Sequence, residues 1–405
     1  MKYIMLVGDG MSGRPLDELN GRTTLEVAER RYMDEITKRG KLGIATTIPK
    51  GMTPASDVAN LSLLGYNPKK YYSGRGPLEA VNIGVDLSDT DVAFRCNLVT
   101  QEEDGMIDYS AGHISSKEAR VLIEKIDRSL GNEKIKFYPG VSYRHLMVLR
   151  TGSKEEALKI SEMKCMPPHD ILNKSILKNL PQGEGKELLI ELMDKSKKIL
   201  AHHDINKVRI DLGENPANMI WLWGQGIKPA MPLFKELYDV TGSIISAVDL
   251  IKGIGKIIGL EVIDVPGATG FYDTNFKGKA EYALKSLEER DFVFVHVEAA
   301  DEAGHNADIR EKIRAIENFD KLVVGTIWEE FKARKDFRII VLPDHATPIS
   351  VRTHTTDPVP FAICGEGIES DGASVFTETA ARGSNLIFKE GHPIMKYLIG
   401  EKPKT

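Results

Sequence analysis

Cysteine is scarce: Cys96, Cys165 and Cys364 are the only three in 405 residues, and they stand far apart. That spacing excludes a zinc knuckle, a Cys-x-x-Cys redox pair and a disulfide-stapled scaffold. Reduced, structural thiols are expected instead. Long apolar runs are also lacking. No stretch approaches the ~20 residues needed to cross a bilayer, so a membrane-spanning helix is excluded. A strong excess of either charge is missing. The formal net charge of −5 provides no basic field for nucleic acid or an anionic membrane. There are no internal repeats and no low-complexity segments. What is left is an ordinary soluble composition, 41% hydrophobic and 28% charged, in a chain long enough for two domains. The chain opens on MKYIMLVGDG, a strand pattern rather than a leader, so a cytoplasmic protein is expected.

Hydrophobic patterning separates the two ends from the middle. Residues 1–66 read as strand, loop, helix, strand, loop, helix. The first helix covers Thr24–Arg39 and stops at Gly40; a strand follows over Leu42–Ile48. The loop PKGMTPASDVANLSLLGYNP then leads into a short helix that begins near Ser56 and stops at Gly65. The C-terminal part alternates in the same way, with strands over 257–264, 291–297, 337–342 and 359–364 and helices over 277–289 and 308–334. Apolar strands alternating with helices imply a parallel α/β sheet. The middle carries short strands over Phe94–Leu98, Gly105–Tyr109, Lys134–Val141 and Ser142–Leu149. Its helices cover Ser116–Leu130, Lys154–Met163 and, as one long amphipathic element, 186–209. The expectation is an α/β domain made of residues 1–70 and 250–405, its mostly parallel sheet flanked by helices. An α+β domain over 71–249 is inserted into it.

The chemistry gathers where strands end. In VFVHVEAADEAGH (293–305), a β-branched run passes into an acidic loop that presents Asp301 and His305 at a metal-ligand spacing. Ile339-Ile340-Val341-Leu342 leads to Asp344 and His345, with His354 a little further on. Ile4-Met5-Leu6-Val7 leads to Asp9. Taken singly, an Asp after a strand is a common turn residue, and a lone His is more often core or surface. Taken together, they sit where a parallel sheet forms its binding crevice, at the carboxyl ends of the strands. Carboxylate mixed with imidazole suits Mn2+, Zn2+, Co2+ or Fe2+ better than Ca2+.

Ser56 reads most plainly as a helix N-cap. The same position also has a functional reading. Helix N-termini attract phosphate, and a serine beside a divalent cation can attack phosphorus. Thr53 is a rival hydroxyl, and Ser62, inside the helix, reads as structural. Counting Asp9 and Ser56, the potential ligands number seven, too many for one tetrahedral zinc. They fit two ions ~3.5–4 Å apart. His202 and His203 read as solvated residues at a helix end; His169, His296 and His392 have no motif around them.

The segments GDGM, TPASDVANLSLLGY, SGRGPLEA, HVEAADEAGH, PDHATP and THTTDPVPFAI resemble the cofactor-independent (2,3-bisphosphoglycerate-independent) phosphoglycerate mutases. The likeness is to their shorter, archaeal-type branch, within the alkaline phosphatase superfamily, and it covers nearly the whole chain. One departure, Ala300 where Pro is usual, touches no ligand. The resemblance implies interconversion of 3-phosphoglycerate and 2-phosphoglycerate through a phosphoserine on Ser56, without bisphosphoglycerate. It implies that Asp9, Ser56, Asp344 and His345 hold one metal and that Asp301, His305 and His354 hold the other. Mn2+ is the foremost choice, with Zn2+, Co2+ and Mg2+ as alternatives. It implies that the inserted domain holds the substrate, with His113, Arg95 and Arg144 as candidates and Arg75, Lys277 and Lys279 behind them. For any one Arg or Lys, a solvated surface charge is as good a reading. Water would hydrolyse a phosphoserine, so the inserted domain is expected to act as a lid, with hinges near 70 and 250. The only partner expected is a small phosphorylated acid, with no nucleic acid and no membrane. The rival readings are a metal-dependent phosphatase or phosphodiesterase, a phosphopentomutase-like enzyme, and a non-catalytic relative. The intact ligand set weighs against the last. No feature for thiamine diphosphate accompanies a phosphonopyruvate decarboxylase reading.

Overall fold

The run KYIMLVG forms a strand over Lys2–Gly8 in which Ile4, Met5, Leu6 and Val7 are all fully buried. A strand apolar on both faces needs cover on both faces, as at the centre of an α/β sheet. In the computed structural model, which describes residues 1–400, this strand lies parallel between Phe292–Val297 and Phe337–Leu342. The sheet has eight strands. Their order is Leu386–Phe388, Lys41–Ala45, Val359–Gly365, Phe337–Leu342, Lys2–Gly8, Phe292–Val297, Gly242–Ile245 and Glu261–Val262. The last five run parallel, and Val359–Gly365 is antiparallel to both its neighbours. Helices Phe276–Glu289, Ile309–Asn318 and Gly325–Phe331 send Ala280, Ile316, Ile327 and Trp328 into the core beside Ile4, Val293 and Ile339. The expected fold, a mostly parallel sheet flanked by helices, is the fold observed.

The chain divides into two compact units. Met1–Tyr72 and the chain from Met231 onward form one, and Ser73–Ala230 forms the other. The smaller unit is an antiparallel sheet built on the long strand Asp91–Glu102. That strand pairs with Gly105–Asp108, Arg144–Arg150 and Met219–Ile227. Phe94, Leu98 and Trp221 pack there against Leu122, Ile126 and Leu192 of the helices Ser116–Leu130 and Lys186–Leu200.

Several elements differ from the sequence reading. Residues 231–249, read as part of the insertion, belong to the larger unit, where Gly242–Ile245 is a parallel neighbour of Phe292–Val297. The strand expected over 257–264 is short: Asp249–Ile257 is helical and only Glu261–Val262 is extended. Ile251, Ile254 and Ile258 are buried at helical spacing, so β-branched content misleads at this point. The helix over 186–209 is two helices, Lys186–Leu200 and Asp204–Asp211, and His203 Nδ1 accepts from the Ile205 N–H at the second start. The helix over 308–334 passes through a π-helical stretch at Phe319–Val324.

The helix over Thr24–Arg39 breaks into Thr24–Val27 and Arg31–Arg39. Arg30 Nη1 takes the carbonyls of Leu25, Glu26 and Ala28, and Asp320 accepts the N–H groups of Tyr32 and Met33 at 3.1 and 2.8 Å. Burial lifts the Asp320 carboxyl to about 7, with those N–H bonds only partly opposing the rise. Its folded pKa lies above its unfolded value. The native state therefore binds the extra proton, and the associated stability is present at low pH and lost as pH rises through about 7. Asp320→Asn removes the titration. The melting temperature of the unaltered protein relative to this variant is expected to fall between about pH 5 and about pH 8. A difference that does not change with pH would contradict this.

Candidate metal centre and nucleophile

Asp9, Asp301 and Asp344 lie just beyond the carboxyl ends of the three central strands. The Asp9 N–H bonds the Val297 carbonyl at 2.9 Å, and the Gly10 N–H bonds Asp344 Oδ1 at 3.1 Å. Gly10 has a φ of +59°, and a side chain there would run into Asp301 and Thr347. Glycine is therefore required for the turn that brings these carboxylates together.

Asp301 is not on a loop, as the sequence reading had it. Ala299–His305 is a helix, and Asp301 and His305 meet one turn apart, Oδ2 to Nε2 at 3.1 Å. His305 Nδ1 lies 3.0 Å from the Arg352 carbonyl and donates to it, so Nε2 is the nitrogen that can bind a cation once its own proton has left. His354 Nε2 is 3.0 Å from His305 Nε2 and 3.5 Å from Asp301 Oδ2.

On the other side, His345 Nε2 lies 3.4 Å from Asp9 Oδ1, 3.6 Å from Asp344 Oδ2 and 3.0 Å from Ser56 Oγ. Ser56 is the first residue of the helix Ser56–Leu63, with Ala55 at the N-cap. Its hydroxyl does not cap the helix; it reaches His345. Asn60, one turn on, donates to the Ser56 carbonyl at 2.8 Å and to Asp344 Oδ2 at 2.7 Å. Of the rival hydroxyls, Thr53 is exposed and Ser62 is fully buried inside the helix.

These residues fit divalent cations. Asp301, His305 and His354 form one set of converging donor atoms within 4.8 Å of one another, and Asp9, Asp301 and His345 form another. Asp9 Oδ1 is buried without a hydrogen-bond partner. Facing ring nitrogens and clustered carboxylates repel unless a cation or protons stand between them. Burial, reinforced by Asp344 and Asp301, holds the Asp9 carboxyl far above its ordinary range. Burial also works against ionisation of Asp301, but the imidazoles of His354 and His305 pull it well below. Burial lowers His345 to about 4 despite Asp344. Burial opposes the charge on His305, yet Asp301 lifts it to about 9. Metal must therefore displace a proton from His305 at neutral pH, and the raised Asp9 carboxyl acts in the same direction. Ion affinity is expected to rise with pH, roughly tenfold per unit for each proton released, between about pH 6 and about pH 8. Calorimetric titration at several pH values checks this; a flat dissociation constant would contradict it.

The remaining candidates fall in two places. In the smaller unit, buried Arg95 pairs through Nε with Glu79 at 3.0 Å and lies 4.4 Å from the Trp223 ring. Arg75 lies 5.6 Å from the same ring. Arg144 stacks on Tyr143 at 5.7 Å, and His113, at a φ of +51°, meets that ring edge-on. In the larger unit, Lys277 is exposed and pairs with Glu281. Lys279 is wholly enclosed, its ammonium bonded to Glu298 and to the His296 carbonyl. The Lys279 ammonium is thus engaged inside the unit, while Lys277 stands at its surface. Sequence reasoning also passed over His296, Asn60, Thr347 and Trp223. The Thr347 hydroxyl bonds Asp301 and lies 3.2 Å from His345 Nδ1, tying the two donor sets together. For His296 there was a signal, since it is the one polar residue in the buried strand Phe292–Val297.

A sequence profile of 2,3-bisphosphoglycerate-independent phosphoglycerate mutase matches residues 37–206. The chain is 50% identical over 404 residues to the enzyme of that name from Methanosarcina barkeri, covering 99% of this chain and 100% of the relative. It is 48% identical over 400 residues to mutase 2 of Methanothermobacter thermautotrophicus, covering 98% and 97%. A solved protein from Pyrococcus horikoshii superposes with a TM-score of 0.84 at 31% identity, over 100% of this chain and 99% of that one. The cofactor-independent phosphoglycerate mutase from Thermoplasma acidophilum superposes at 0.65 with 28% identity, over 98% and 99%. With this identity running almost end to end, the chain belongs to the 2,3-bisphosphoglycerate-independent phosphoglycerate mutase family.

Proposed function

We propose that this chain interconverts 3-phosphoglycerate and 2-phosphoglycerate through a phosphoserine on Ser56. One observation carries the reading: the Ser56 hydroxyl stands at a helix N-terminus, 3.0 Å from His345 Nε2, among the metal-ligand side chains. Asp9, Ser56, Asp344 and His345 would hold one divalent ion, and Asp301, His305 and His354 the other. Bound there, the ions supply Lewis-acid chemistry, lowering the pKa of a hydroxyl and neutralising phosphoryl charge. Carboxylate mixed with imidazole suits Mn2+, Zn2+ and Co2+ alike; Mn2+ is proposed on the family resemblance, with Zn2+, Co2+ and Mg2+ as alternatives.

The side chains do the rest. Ser56 Oγ attacks the phosphorus of the bound phosphoglycerate, and the bond from phosphorus to the glycerate oxygen breaks. The start of the helix Ser56–Leu63 turns its positive end toward the phosphoryl oxygens. The glycerate stays bound, and its other hydroxyl takes the phosphoryl group back, so no bisphosphoglycerate is needed. Arg95 and Arg75 on Trp223, with His113 and Arg144 on Tyr143, are proposed to hold the carboxylate and phosphate of the substrate. The pairing of a fixed guanidinium with an aromatic face supports this. The work is that of a cytoplasmic enzyme with a small anionic substrate.

The test is to mix enzyme with 3-phosphoglycerate, quench in acid and map phosphate by peptide mass spectrometry. Phosphate is expected on the peptide that carries Ser56. Phosphate on another residue, or on none while turnover proceeds, would overturn the assignment.

A further inference from the structure

Behind the metal ligands lies a second polar group that the phosphoryl chemistry leaves without a role. Lys279, His296 and Glu298 expose 0%, 0% and 3% of their surface. Lys279, on the helix Phe276–Glu289, donates from Nζ to the His296 carbonyl at 2.8 Å and to Glu298 Oε2 at 2.5 Å. Glu298 Oε1 accepts from the Ala247 N–H at 2.8 Å and the Ser246 hydroxyl at 3.0 Å, and lies 3.2 Å from His296 Nδ1. A carboxylate held by an ammonium only accepts hydrogen bonds, so the proton on Nδ1 points at Glu298. That fixes the ring. Its far nitrogen, Nε2, faces Asp9 Oδ2 at 3.3 Å, Asp344 Oδ2 at 3.6 Å and Asn60 Nδ2 at 3.4 Å.

A buried lysine–glutamate pair is a poor stabiliser, and apolar residues of similar volume commonly do as well or better. Its geometry gives it another use. The Lys279 ammonium and the His296 Nδ1–H both donate to Glu298, and the far side of the same ring faces two carboxylates on the Ser56 side. Among the described residues, none of the three hydrogen-bonds or ion-pairs with His305 or His354.

We propose that Lys279, Glu298 and His296 form a positioning relay that fixes the carboxylates of Asp9 and Asp344 and so sets affinity for the ion on the Ser56 side. The relay acts through those carboxylates and touches neither substrate nor phosphorus. It rests on the two-ion reading of the site.

The test uses full-length protein and Co2+, followed by calorimetry and visible absorption. Asp301→Ala isolates the ion on the Ser56 side, and Asp344→Ala isolates the other. In the Asp301→Ala background, His296→Leu is expected to weaken Co2+ binding by roughly 10–100-fold, the usual cost of losing an outer hydrogen-bonding partner. His296→Gln, which returns an amide near the Nε2 position, is expected to recover most of that. In the Asp344→Ala background, His296→Leu is expected to change affinity by less than about threefold, since the relay has no partner there. The double change Lys279→Met with Glu298→Gln removes both charges at similar volume and is expected to repeat the pattern without altering a residue that faces the ligands. Equal loss at both ions, or no loss at either, would overturn the relay. If the unaltered protein binds a single ion, the two-ion reading fails instead, so the two failures are distinguishable.

Discussion

Ser56→Ala is expected to lower mutase turnover by on the order of 10^4-fold or more, because the step that receives the phosphoryl group has no substitute. Both kcat and kcat/KM should fall together, since the lost interaction exists only on the way to the transition state. Six of the seven proposed ligands remain, so metal uptake and melting temperature should change little. Thr53→Ala is the control: that side chain is exposed and outside the helix Ser56–Leu63, and its loss should leave turnover nearly intact. Residual activity of Ser56→Ala within about tenfold of the unaltered enzyme would remove Ser56 from the nucleophile's role.

Asp301→Ala is expected to lower the tightly bound divalent ions from about two per chain to about one and to slow turnover by on the order of 10^3-fold. Asp301 is the hub of its side of the site. Oδ2 lies 3.1 Å from His305 and 3.5 Å from His354, and its other oxygen takes the Thr347 hydroxyl. Removing it leaves two imidazoles without the carboxylate that organises them. On the other side, Asp344, His345 and Ser56 keep their mutual contacts. Metal analysis after dialysis reads the stoichiometry directly. Loss of both ions together, or of neither, would contradict the division of the ligands.

The parts of this site that were legible in the sequence are those set by short-range pattern. Asp9, Asp301 and Asp344 each follow an apolar run, and a run apolar on both faces belongs in the middle of a parallel sheet. Asp301 and His305 were legible as a pair although the segment was read as a loop, because a four-residue spacing brings the two together on a helix. The parts that were not legible depend on partners far away in the chain. The break between Val27 and Arg31 is held by Asp320, 288 residues from Tyr32. His296 looks like an isolated polar residue until the fold brings Asn60, Ser246 and Lys279 around it. Lys279 was visible as a cation near the site, but local pattern cannot show that its ammonium turns inward. Gly242–Ile245 is only four residues long, too short for periodicity to mark it as a sheet strand.

The most direct measurement is a coupled assay of 2-phosphoglycerate formation from 3-phosphoglycerate, with no bisphosphoglycerate added, before and after chelation. Turnover is expected without bisphosphoglycerate, to disappear on chelation and to return with Mn2+. Turnover that survives complete removal of metal, or release of free phosphate in place of 2-phosphoglycerate, would contradict a metal-assisted transfer through Ser56.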